Sequence, residues 1–160
     1  MGEKTLSELK EEYEKLQKKH NLPSFKQLNE DFQIEKICEY ETELLIKEVR
    51  KFIADKMINY LRFAESLLQP MNASIFIMSV MKTMGMQEKK KLEEVYKKLA
   101  ENEIKLLEVD LEFSEDKEAK FIKEAYDSWQ IIKKELLEIA GRIKKNWDNK
   151  SSKNGAGYLG

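Results

Sequence analysis

The chain has 160 residues, 41% hydrophobic and 37% charged, with a formal net charge of −1 at neutral pH. That length and apolar content suit a packed domain and exclude a disordered chain, and the near balance of charge excludes a strong whole-molecule pull toward nucleic acid or an anionic membrane. One cysteine, Cys38, and one histidine, His20, exclude an internal disulfide, the usual zinc sites and histidine-bearing di-iron bundles, so no metal or cofactor is expected.

The first residues, MGEKTLSELKEEYEK, have no apolar core, so no signal peptide is expected. Thr5 and Glu8 have capping-box spacing, and Leu6, Leu9, Tyr13 and Leu16 form one stripe, which predicts a helix from Leu6 to about Lys19. Asn21-Leu22-Pro23 ends it, leaving His20 at a helix C-terminus, where its positive form suits the dipole. Ser24 and Gln27 repeat the capping-box spacing, and Phe25, Leu28 and Phe32 predict a short helix that plugs one end of a bundle.

From Ile34 to Gln69 no proline or glycine intervenes, which predicts a single helix about 50 Å long. In that projection Cys38 lies on the apolar face, and Glu41 falls between Ile37, Cys38, Leu44 and Leu45. Glu41, Glu48, Asp55 and Arg62 recur every seven residues. With Arg50 they form a polar line that could meet a small anionic ligand, or else pair with charges of a neighbouring helix.

Pro70 ends that helix and opens an island. Between Ser66 and Gln87 the only charge is Lys82, and five of the seven methionines fall there. Asn72 or Ser74 is expected to cap a short helix that Gly85 terminates. Its most apolar part, Ala73 to Met84, is well short of the roughly 20 residues needed to span a bilayer. A helix apolar all round reads first as buried core. The second reading is a partner-binding surface built on Ile77, Met78, Met81 and Met84, since methionine suits adaptable interfaces.

A helix from about Gln87 to Glu112 carries Leu92, Leu99, Leu106 and Phe113 at seven-residue spacing, with Val95, Asn102 and Val109 between them; Asn102 there would fix register. Ser114 should cap the last helix, expected to run to about Trp147 on two further series, Ile122-Trp129-Leu136-Ile143 and Ala125-Ile132-Ile139. Residues 148–160 lack periodicity and are expected to form a flexible tail. The lysine clusters, such as 89–91, 97–98, 133–134 and 144–145, alternate with glutamates at helical spacing and there are only three arginines, which reads as solvated faces more than a nucleic-acid surface.

The runs LPSFKQLNEDFQIEKI, LLIKEVRKFIADKMINYLRFAESLLQP and SEDKEAKFIKEAYDSW resemble uncharacterised helical proteins of archaea. The resemblance implies no activity and transfers no site residue. The expectation is an all-α, elongated bundle of three long helices with shorter packed helices and coiled-coil-like seams, one domain over residues 1–147. Its expected role is a cytoplasmic, non-enzymatic interaction or scaffold module, binding a protein partner or itself through the Met-rich helix. Nucleic-acid association and small-ligand binding stand as alternatives, and no membrane partner is expected.

Overall fold

In the computed structural model the described residues, 4–153, form an all-α bundle with no strand among them. The helices are α1 (Leu6–His20), α2 (Phe25–Phe32), a 3-10 turn (Ile34–Glu39), α3 (Leu45–Leu68), α4 (Ile75–Thr83), α5 (Met86–Leu111) and α6 (Glu115–Lys153). They pack as two compact units: unit 1 is Met1–Asn59 with Glu101–Trp129, and unit 2 is Tyr60–Ala100 with Gln130–Gly160.

Unit 1 is built on local signals that agree with one another. Both capping boxes form: Thr5 and Glu8 exchange side-chain and backbone hydrogen bonds, as do Ser24 and Gln27. Asn21 and Gln33, both left-handed with φ near 53–54°, close α1 and α2. Tyr13 is buried, stacks edge-on against Phe25 and donates its hydroxyl to the Pro23 carbonyl at 2.5 Å. Burial raises its phenol well above the ordinary value. Leu9, Leu28, Phe32, Ile34, Ile37, Ile53, Ile122 and Trp129 fill the core of this unit. Lys56 lies 5.9 Å over the Phe32 ring and 5.4 Å over the Trp129 ring and donates to the Asp31 carbonyl.

The continuous helix expected over 34–69 is interrupted. After the 3-10 turn Tyr40 is extended, residues 41–44 are irregular, and α3 begins only at Leu45. Three glutamates, Glu39, Glu41 and Glu43, crowd this stretch beside β-branched Thr42. Like charges at i,i+4 and restricted χ1 both weaken a helix there. The break also lets Ile34 and Ile37 on one side and Leu45 and Ile46 on the other all reach the core.

In unit 2, Leu92, Val95 and Leu99 of α5 and Ile132 and Ile139 of α6 are buried, as the seven-residue series require, together with Ala64, Leu67 and Val80. Ser74 accepts a hydrogen bond from the Ile77 amide and caps α4. Gly85 donates to Glu88, which folds back over the start of α5; a Cβ at position 85 would stand 2.8 Å from that carboxylate. α6 continues past Trp147 to Lys153, so 148–153 are helical and not a tail. The rest of the expected tail, 154–160, lies outside the described residues. No glycine or proline stands between Arg142 and Lys153 to end α6 sooner.

Candidate functional site

The polar line of α3 does not assemble. Glu41 is exposed in the irregular link, Asp55 is exposed, and Glu48 is half-buried beside Lys51 at 3.1 Å. Arg50 is turned inward: its Nε donates to Glu118 at 2.8 Å and its Nη2 to the second Glu118 oxygen at 3.2 Å, with Asp110 at 3.5 Å. Arg50 and Glu118 are both buried, so this forked pair is an internal tie in unit 1. Arg62 belongs to unit 2, where it is exposed among Glu65, Ser66, Gln69 and Tyr96.

Several lysines meet carboxylates. Lys91 reaches Glu138 at 3.0 Å, Lys98 reaches Glu135 at 2.7 Å and Lys19 reaches Glu115 at 2.8 Å. The hydrogen bond from Lys91 holds the Glu138 carboxyl below its usual range. His20 closes α1, with Nε2 at 2.6 Å from Glu115. Cys38, expected on the face of a long helix, is instead half-buried in the 3-10 turn. Among the described residues no cluster of three or more histidine, cysteine, aspartate or glutamate side chains could hold a metal ion.

The island resolves differently from its first reading as core. Of α4 only Val80 and Thr83 are buried, while Ile75 is 85%, Phe76 63% and Met78 51% exposed. Ile77, Met81 and Met84 are half-buried, so of the four residues singled out there only Met78 faces solvent. Met71 and Met86, which flank α4, are almost fully open. At 100° per residue, Ile75, Met78 and Lys82 share the outer face, opposite Val80 and Thr83.

α4 is nonetheless fixed in place. Asn146 of α6 donates to the Thr83 carbonyl at 2.8 Å, and Lys150 donates to the Lys82 carbonyl. These bonds satisfy carbonyls that a helix end leaves open. Between α4 and its neighbours lies an apolar groove of about 300 Å³. Its walls are Phe63 of α3, Phe76 and Val80 of α4, Leu92 of α5, and Leu136, Ile139, Ala140, Ile143 and Trp147 of α6; Lys144 is the one charged residue lining it.

The charge around this groove is one-sided. Unit 2 has fourteen lysines and arginines against seven aspartates and glutamates, a net +7. Unit 1 has fifteen against twenty-three, a net −8. A chain that is nearly neutral in total therefore carries two oppositely charged units.

Comparison with family models, curated proteins and solved structures returns no match.

Sequence reasoning overlooked three features. Glu118 lies one step before the Ala125-Ile132-Ile139 series, and extending that series backwards would have placed a carboxylate in the core. The charge division was hidden by the total. A third stripe, Ile104, Leu107 and Leu111 at i, i+3 and i+7, lies on the outside of α5 at 65%, 58% and 86% exposure. Beside the stronger seam of Leu92, Leu99 and Leu106 it did not stand out.

Proposed function

We infer that the chain is a non-enzymatic protein-interaction module whose groove in unit 2 receives apolar side chains from a partner polypeptide. The observation that carries this reading is the exposure of Phe76 in the wall of an apolar groove on an anchored helix, with Ile75 and Met78 exposed on the outer face of the same helix. Single exposed apolar residues are ordinary on protein surfaces, but an exposed aromatic in the wall of an apolar concavity marks a binding surface. Methionine and aromatic side chains are enriched where such contacts form. The single cysteine suits a cytoplasmic setting.

Small-ligand chemistry at the α3 line loses its support, because Arg50 is already bound by Glu118 and Glu41 lies in the irregular link before α3. Nucleic-acid binding by the basic unit is weakened by the pairing of Lys91 and Lys98 with glutamates.

A photo-crosslinking amino acid at position 76 tests the reading. Adducts to a polypeptide should form from position 76 and not from Glu14, an exposed position on α1. Equal yields at both positions, or none at 76, would contradict it.

A further inference from the structure

We propose that the groove of unit 2 is filled by the outer face of α5 from a second copy of this chain, the stripe Ile104-Leu107-Leu111 of unit 1. The proposal rests on the groove being a docking surface, and it names the occupant.

The stripe has the form such a groove requires. Its three side chains lie within about 60° of one another around the helix, and helices that dock in grooves present anchors at i, i+3 and i+7. They stand opposite the buried side of α5 in this unit, formed by Asn102 and Val109, and remain exposed in the fold of unit 1. An apolar cavity of about 150 Å³ accepts one benzene ring, so a groove of about 300 Å³ takes roughly two or three aliphatic side chains.

Charge selects the same pairing. The stripe is interleaved with Glu101, Glu103, Glu108, Asp110 and Glu112. The one lysine among them, Lys105, meets Glu124 at 3.2 Å. The groove instead has Lys144 in its wall, and the 22 residues from Ser66 to Gln87, which supply Phe76 and Val80 to it, contain no acidic residue. An acidic apolar ridge thus meets a basic apolar groove, and the net charges of the two units, −8 and +7, favour ridge on groove over ridge on ridge or groove on groove.

Because ridge and groove are different surfaces, each chain offers one of each. The contact either closes into a pair with two equal joints or propagates along a row of chains.

The test is sedimentation velocity over a concentration series, with circular dichroism to confirm folding. Wild type is compared with Phe76→Asp, Leu107→Asp and an equimolar mixture of the two; Leu111→Asp serves as an independent ridge variant. All three positions are exposed, so the fold should tolerate the changes. Wild type should associate, and association should weaken roughly tenfold or more when salt rises from about 0.05 M to about 0.5 M. Each variant alone should be monomeric. The mixture should regain a two-chain species, because the intact ridge of Phe76→Asp fits the intact groove of Leu107→Asp.

Variants that associate like wild type, or a mixture that stays monomeric, would overturn the proposal. A monomeric wild type that crosslinks from position 76 to a different protein would remove the second copy as occupant and leave the docking surface standing. A monomeric wild type that binds phosphatidylserine vesicles, with Phe76→Asp abolishing that binding, would assign the surface to a membrane and overturn both readings.

Discussion

Arg50 and Glu118 form a buried ion pair in unit 1. Each is held by the other through two hydrogen bonds, so removing Arg50 leaves Glu118 in the core without its counter-ion, and removing Glu118 leaves Arg50 only the longer contact to the exposed Asp110. Glu118→Ala should cost about 3–5 kcal/mol in denaturant unfolding, whereas Arg50→Met combined with Glu118→Leu should lie close to wild type or above it. Equal losses in the single and double variants would show that the site needs charge for its shape. Glu115 is a milder case at the start of α6. Hydrogen bonds from His20 and then Lys19 hold its carboxyl below the ordinary value of 4.5. A carboxyl lowered in the folded state stabilises fully above its unfolded pKa and loses that contribution as pH falls through the folded pKa. Glu115→Gln should therefore lower the melting temperature at neutral pH slightly and flatten its fall below about pH 4.5. The effect is small, because the side chain is more than a third exposed. A melting curve with an unchanged acid limb would count against the assignment.

At the scale of elements, ends and seams decide what forms. Thr5→Ala and Ser24→Ala each remove a cap acceptor that also orients the first turn, and each should cost about 1 kcal/mol by thermal unfolding. No change at either position would mean that packing alone defines those helices. These caps, and the series through Leu92, Leu99, Ile122, Ile132 and Ile139, were legible in the sequence because one residue spacing specifies both the helix and its buried side. The break at 40–44 was not legible, because it has neither proline nor glycine. It follows from crowded glutamates and from core positions on both sides that no single straight helix could bury. The burial of α4 was also beyond local pattern. An apolar circumference says that a helix can be covered, but not which neighbours cover it. The burial of Val80 and Thr83, with the hydrogen bonds from Asn146 and Lys150 to the end of α4, shows the side that turns inward.

For the molecule as a whole, the total charge of −1 concealed a division between an acidic and a basic unit. The candidate site was half legible. The Met-rich island identified the right segment, but of α4 the residues that open to solvent are chiefly Ile75, Phe76 and Met78, and the groove's further aromatic residues, Phe63 and Trp147, come from distant segments. No helix among the described residues is long and apolar enough to cross a membrane.

A docking role for unit 2 requires that the outer face of α4 lie in solvent and not in the core. The most direct measurement is the unfolding free energy of the double variant Ile75→Lys, Met78→Lys, made at protein concentrations low enough that association adds nothing. If the face is a surface, stability should stay within about 1 kcal/mol of wild type, since each change falls at an exposed helical position. A loss of about 4 kcal/mol or more, the scale of charges forced into a core, would contradict it.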